Sequence, residues 1–149
     1  MKKLMLMSLF AFTGIAQAAP NVWNEVYSQG FSEYSIRDAN GNTLLIACND
    51  EAGGDYDHSA WLQMKNKRIQ NTDSKYPLTF LLDGKTKVAP TASTKWRNGA
   101  NAWYDFSHGI AKAKKIEVFV NNKKVTTFIP TSQSIKSTAK DIALCRPMF

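Results

Sequence analysis

Alternating apolar and polar positions predict a chain built largely from β-hairpins. Strand-like runs lie on both sides of Asn-Gly at residues 40–41, Asp-Gly at 83–84 and Asn-Asn at 121–122. These residue types accept the positive φ angles of a tight turn, so each pair of runs predicts a hairpin. Residues 65–68 are expected to form one more turn, and residues 68–70 the start of its return strand. The predicted strands are 22–27, 33–37, 43–48, 60–64, 77–82, 86–89, 115–120 and 123–129.

The hairpin around Asn121 and Asn122 has the clearest alternation. Its apolar side is expected to consist of two facing sets, Ile116, Val118 and Val120 on the first strand and Val125, Thr127 and Ile129 on the second.

Two later stretches have the helical period instead. The first is expected to begin at Asn98 or Asn101 and to be weakened by Gly109, and the second to be capped by Ser132 or Ser134. Their predicted inward faces are Trp103, Phe106, Ile110 and Ala113 in the first, and Ile135, Ala139, Ile142 and Ala143 in the second. The fold class is therefore α+β: a mainly antiparallel sheet or sandwich of six to eight strands, with two helices late in the chain.

The N-terminus has the three parts of a secretory signal. Lys2 and Lys3 precede an apolar run at residues 4–15, and Ala16-Gln17-Ala18 has the small-x-small form of a cleavage site. The run is too short to span a bilayer, and no later stretch is long enough. We therefore expect residues 1–18 to be removed and residues 19–149 to form one periplasmic or secreted domain without a transmembrane segment.

Cys48 and Cys145 are the only cysteines. An oxidising compartment favours their joining as a disulfide, although two separate buried thiols remain an alternative.

The mature chain keeps 17 basic and 12 acidic residues, a net charge of +5. For an exported protein this net charge favours anionic envelope surfaces or an acidic protein, rather than nucleic acid, as partners. Alternatively, the charge only keeps the protein in solution.

No catalytic set is apparent, and we expect neither an enzyme nor a bound cofactor. The chain has two histidines, His58 and His108. Asp105, Ser107 and His108 do not make a triad, because helix neighbours point in different directions. A small hydrolase using His108 is the remaining alternative.

Residues 49–58 are rich in carboxylates and glycine, which predicts an exposed loop. Its carboxylates beside His58 would suit calcium, but the spacing lacks the order of an EF-hand. We therefore expect no metal site here, and none at residues 38–42, where turn chemistry explains the pattern. The loop's candidate ligands are Asp50, Glu51, Asp55 and Asp57.

An aromatic residue in a polar connector predicts a contact surface. Trp96 lies between Lys95 and Arg97, and Trp and Arg are frequent anchors of protein interfaces. The predicted partner-binding loop is Lys95, Trp96, Arg97 and Asn98, with packing of Trp96 over a sheet edge as the alternative.

The C-terminal part, from 98–106 through the hairpin at 115–128 to Cys145, resembles small uncharacterised exported proteins of enterobacterial plasmids and prophages. Its layout is also loosely similar to the invasion-associated locus B family. The resemblance implies export and a β-rich fold, and no activity.

Two functions follow as hypotheses. The first is a non-enzymatic binding protein, of the inhibitor or immunity type, that acts on another protein in the periplasm. The alternative is an envelope accessory or host-contact factor that binds an anionic surface through a basic patch. That patch comprises Lys65, Lys67, Arg68, Lys112, Lys114, Lys115, Lys123 and Lys124.

Overall fold

The computed structural model describes residues 18–149, so the predicted signal at residues 1–18 lies almost entirely outside them. Two antiparallel sheets form the body of the protein. The first has the strand order β1-β2-β3-β4-β5 and the second β7-β6-β8-β9. The strands are β1 Asn24–Ser28, β2 Phe31–Arg37, β3 Thr43–Asn49, β4 Ser59–Met64, β5 Lys67–Gln70, β6 Leu78–Leu82, β7 Thr86–Val88, β8 Ile116–Val120 and β9 Lys123–Phe128.

Two α-helices complete the fold. Helix α1, Arg97–Ile110, connects β7 to β8, and helix α2, Ser132–Ser137, leads into a 3₁₀ helix at Ala139–Leu144. The predicted α+β class is confirmed. The described chain has nine strands rather than six to eight. The return expected at residues 68–70 is a full edge strand, β5, which begins at Lys67, so the turn before it is only residues 65–66.

The three predicted hairpin turns are confirmed. Gly41 has φ 89°, Asp83 and Gly84 have φ 50° and 68°, and Asn121 and Asn122 have φ 50° and 62°. These positive angles are the ones that Gly, Asn and Asp tolerate best.

The predicted apolar face of β9 is wrong, because a bulge lies at Val118/Phe119 in the β8–β9 ladder. Val118 pairs with Thr126 and Ile116 with Phe128, one residue later than a regular hairpin would give. Since a one-residue shift moves every later side chain to the other face, Phe128 is buried, whereas Val125 and Ile129 are exposed.

Both sheets and α1 contribute to one core. The predicted inward face of α1 is confirmed, since Trp103, Phe106 and Ile110 are fully buried, as is Ala113 just beyond the helix. Phe106 packs on Phe80 of β6 with ring centroids 5.1 Å apart. Each such buried large side chain contributes about 1.5–3 kcal/mol of stability. On the last helical segment Ala139 and Ile142 are buried, whereas Ile135 and Ala143 are only half-buried.

The predicted helix caps are wrong. Trp96 occupies the N-cap of α1 in an extended conformation and makes no side-chain cap bond, so Asn98 and Asn101 lie inside the helix. The cap of α2 is Thr131, whose hydroxyl accepts a hydrogen bond from the Ser134 amide at 3.3 Å.

Two glycines let α1 approach its neighbours closely. A Cβ at Gly99 would lie 1.8 Å from the carbonyl oxygen of Ser93, and one at Gly109 would lie 2.6 Å from Leu82 Cδ1. A side chain at Gly109 would require the Leu82 side chain of β6 to move, whereas one at Gly99 would meet backbone.

Asp38 explains the polar turn at residues 38–42. Its carboxylate accepts hydrogen bonds from the Asn40 amide, from both the backbone and side-chain amides of Asn42, and from the Thr126 hydroxyl of β9. The carboxylate therefore fixes the β2–β3 turn and connects the two sheets.

Within residues 18–149, no helix is both long and apolar enough to cross a bilayer.

Candidate functional site

A disulfide joins Cys48 of β3 to Cys145, as predicted, with the two Cα atoms 5.3 Å apart. Both cysteines are buried. The Trp103 indole N–H also donates to the Cys145 carbonyl at 3.1 Å, so α1 holds the same point of the chain. The C-terminal residues after the 3₁₀ helix are thereby tied to the five-stranded sheet and to α1.

His58 is a structural part of this tether, and its predicted place in an exposed loop is wrong. The side chain is 3% exposed and stacks on Trp103 with centroids 5.2 Å apart. Its Nδ1 accepts from the Asn49 amide at 2.9 Å and lies 3.5 Å from Cys145 Sγ, while Nε2 donates to the Arg146 carbonyl. Burial lowers the pKa of His58 and outweighs the Arg146 bond, which would raise it. The imidazole is therefore neutral and holds the tail.

Asp57 fixes the same region from the loop side. Its carboxylate accepts from the Ser93 hydroxyl, from the Thr94 amide and hydroxyl, and from the His58 amide. Burial would raise the pKa of Asp57, but these bonds lower it below its usual value. The Met148 amide in turn donates to the Thr94 hydroxyl oxygen at 3.1 Å.

The rest of the acidic loop is exposed, as predicted. Asp50 accepts a hydrogen bond from the Ser32 hydroxyl, and Glu51 accepts one from Tyr27. In the part of the chain that the structure describes, no three His, Cys, Asp or Glu side chains converge as metal ligands would.

A groove of about 600 Å³ lies between α1 and the tethered C-terminal residues. We call it the tail groove and define it by Ala100, Tyr104, His108, Leu144, Arg146 and Phe149. Three of these side chains are apolar or aromatic and strongly exposed: Tyr104 at 52%, Leu144 at 68% and Phe149 at 69%. Clustered exposed apolar side chains of this kind mark interaction sites more often than scattered ones do.

The predicted contact residues Lys95 to Asn98 are all exposed. Trp96 is 72% exposed, so the alternative of packing over a sheet edge is wrong. Arg97 and Asn98 belong to the first turn of α1, not to a loop. The Trp96 carbonyl accepts from the Ala100 amide, which places Trp96 one helical turn before the tail groove.

His108 lines the groove without triad geometry. Its Nδ1 lies 3.0 Å from the Tyr104 carbonyl oxygen, and its ring stacks on Tyr104 with centroids 3.8 Å apart. The Ser107 hydroxyl donates to the Tyr104 carbonyl at 3.3 Å and lies 3.4 Å from His108 Nδ1. A carbonyl acceptor requires a proton on Nδ1, so that nitrogen is not a base for Ser107.

The residues of the predicted basic patch are divided between the two sheets. Lys67 and Arg68 lie on β5, where they cover the rings of Tyr76 and Trp61 at 3.4 and 4.2 Å. On the other sheet, Lys115 and Lys124 both contact Glu117, at 3.4 and 3.2 Å. These two ion pairs partly neutralise that side of the patch. Lys65 lies in the β4–β5 turn, Lys112 and Lys114 lie between α1 and β8, and Lys123 begins β9.

The structure defines a class: an α+β protein of two antiparallel sheets whose C-terminal tail is tethered by a disulfide to the sheet and by hydrogen bonds to the loops. The chain belongs to the YfjT family, whose model matches residues 21–139.

The protein is 33% identical to the uncharacterised protein YfjT of Escherichia coli (strain K12), over 97% of this chain and 95% of the relative. It is 32% identical to the uncharacterised protein YkfB of the same strain, with the same coverage. No solved structure matches. The comparisons give no evidence on the invasion-associated locus B family.

Proposed function

We propose that the chain is an exported, non-enzymatic binding protein of the inhibitor or immunity type, which docks on another protein through Trp96 and the tail groove. The observation that supports this most is the exposure of Trp96 at the N-cap of α1 and of Tyr104, Leu144 and Phe149 in the tail groove. Aromatic side chains beside arginine are the residues that most often dominate binding energy in protein interfaces.

The rigidity of the surface supports the proposal further. The tail is held by the disulfide and by hydrogen bonds from Trp103, His58 and Met148. A surface ordered before binding loses less conformational entropy when a partner arrives, so more of the contact energy appears as affinity.

The charges at this surface indicate the partner's chemistry. Lys95 and Arg97 flank Trp96, and Arg146 lines the groove. A partner surface with an apolar centre and carboxylates at its rim would complement them.

Export rests on the signal pattern and on the disulfide, because such bonds persist in oxidising compartments. N-terminal sequencing of the protein recovered from the producing cell tests it, with Ala19 as the expected first residue. Material that retains residues 1–18 would contradict export.

The docking proposal is tested by capture from periplasmic extract with the mature protein as bait, followed by affinity measurement with the purified partner. The double variant Trp96→Ala/Arg97→Ala and the single variant Tyr104→Ala should each weaken binding by about 2 kcal/mol or more, about 30-fold. Ile129→Ala is the control, because Ile129 is 60% exposed and does not line the tail groove. Unchanged binding by both test variants, with reduced binding by the control, would place the interface elsewhere.

Binding to an anionic envelope surface is a second candidate, favoured by the charge of one part of the chain. Residues 65–149 carry 16 basic and 5 acidic side chains. Charge-driven binding weakens steeply with salt, whereas a packed protein interface does not. Sedimentation with phosphatidylglycerol vesicles at low and high salt tests this candidate, and no binding at low salt would exclude it.

A further inference from the structure

The four edges of the two sheets differ in how they are protected. Natural edge strands avoid unwanted pairing by carrying Lys or Pro, by being short or by containing a bulge. Edge strand β5 contains Lys67 and Arg68, β7 has three residues including Lys87, and β9 contains two lysines and lies beside the bulge. Edge strand β1, with the sequence Asn-Glu-Val-Tyr-Ser, has no Lys, Pro or bulge, and its one charged residue is Glu25.

The free side of β1 is open to a partner. β1 pairs with β2 in unbroken register from Asn24↔Ser35 to Ser28↔Phe31. All five of its residues are exposed, with Val26 at 59% and Tyr27 at 57%. Within residues 18–149, its backbone makes hydrogen bonds to β2 alone. A regular, five-residue edge of this kind can accept another strand.

A cavity of about 340 Å³ lies next to β1 on the inner face of the sheet. Its lining is acidic and hydroxylated, the disulfide forms part of it, and none of its lining residues is basic. The polar lining residues are Glu25, Ser32, Tyr34, Asp50 and Asp141.

A second groove of about 360 Å³ lies on the outer face. Val26 is paired there with Glu33, which lines the groove together with Phe31, Tyr56 and Trp61. In the described chain, the Glu33 carboxylate has no ion pair. Glu25 of β1 therefore offers a carboxylate on the inner face, and Glu33 of the neighbouring strand β2 offers one on the outer face.

The charge around β1 indicates what kind of strand would pair with its free edge. Residues 18–64 contain seven acidic residues and one basic residue, Arg37. A second copy paired through β1 would bring two such acidic regions together, which is unfavourable. A basic strand would be attracted instead.

We propose that the free edge of β1 receives an extended, basic segment of a partner polypeptide as a sixth strand of the five-stranded sheet. Backbone hydrogen bonds to β1 supply affinity. Alternate side chains of the added strand face opposite sides of the sheet, so its lysine or arginine residues reach Glu25 and Asp50 on one face or Glu33 on the other. This interface is centred on β1, Glu25 and Glu33 and goes beyond the docking role proposed for the tail groove, although Leu144 lines both that groove and the cavity on the inner face.

The probe is a fluorescein-labelled heptapeptide in which lysine and threonine alternate, and fluorescence anisotropy measures its binding to the mature protein. We expect Val26→Lys to raise the dissociation constant by about tenfold or more, since lysine is the usual protection of an edge. Val125→Lys is the matched control, because Val125 is exposed on the already protected edge strand β9 and the charge change is the same. Glu25→Gln should weaken binding with little structural disturbance, since Glu25 is exposed.

Two further measurements separate strand addition from simple charge attraction and from self-pairing. A heptapeptide of equal charge with proline at its centre should bind about tenfold more weakly, and amide exchange at residues 24–28 should slow only with the unbroken peptide. Equal binding of both peptides, or an equal effect of Val26→Lys and Val125→Lys, would overturn the proposal. A dimer in sedimentation that Val26→Lys dissociates would also overturn it, in favour of a second copy.

Discussion

Replacing Cys48 and Cys145 together by serine should lower the free energy of unfolding by about 4 kcal/mol. The bond closes a loop of 97 residues. In the chain-entropy account, a loop of that length restricts the unfolded chain by about 4–5 kcal/mol. Domains of this size are stable by only about 5–15 kcal/mol, so the loss is a large part of the total.

Urea unfolding followed by tryptophan fluorescence measures this loss, because Trp23 and Trp103 are buried and become exposed on unfolding. With a slope of about 2 kcal/mol per molar urea, the midpoint should fall by about 2 M. The wild-type protein measured with and without a reductant provides a second comparison in which no side chain is replaced.

The effect should also be strongest locally. Amide exchange at residues 145–149 should accelerate more than exchange in β3, because the tail loses its covalent tether while β3 keeps both neighbouring strands. A loss below about 1 kcal/mol would refute the loop argument. Unchanged exchange in the tail would mean that Ala139, Ile142 and the Trp103 bond hold it without the disulfide.

Two further predictions concern pH and packing. Stability should decrease as the pH falls below about 6.5, because unfolded His58 takes up a proton there while the folded histidine, with its lowered pKa, does not. The free energy of unfolding, measured with urea between about pH 7.5 and pH 5, should change less with pH in His58→Gln than in the control His108→Gln. An equal change with pH in both variants would contradict the assignment. Gly99→Ala should destabilise by about 1–3 kcal/mol despite the better helix propensity of alanine, because its Cβ would overlap the Ser93 carbonyl 1.8 Å away. Gly54→Ala, with nothing within 4 Å, is its control, and a melting temperature for Gly99→Ala at or above that of the control would contradict the prediction.

Local chemistry made the hairpins and α1 predictable from the sequence. Asn-Gly, Asp-Gly and Asn-Asn determine the turns through the φ angles they tolerate, and the spacing of Trp103, Phe106 and Ile110 determines the buried face of α1. The disulfide was predictable because two cysteines permit only one pairing within the chain. The bulge beside β9 was not, because no residue in that hairpin is characteristic of one.

The candidate site was only partly predictable, because tertiary contacts build it. Exposure of Trp96 agrees with its polar neighbours. The tail groove, however, requires residues near 100 and near 146 to meet, and sequence spacing carries no signal of that. The burial of His58 also depends on a carbonyl 88 positions away.

The position of the disulfide determines when, during synthesis of the chain, the bond can form. Cys48 belongs to the third strand, and Cys145 is synthesised 97 positions later. Both sheets and α1 have been synthesised before Cys145, so the disulfide forms only after the elements that it connects have been made. A chain truncated between β9 and Cys145 would keep every described strand but would carry Cys48 as an unpaired thiol.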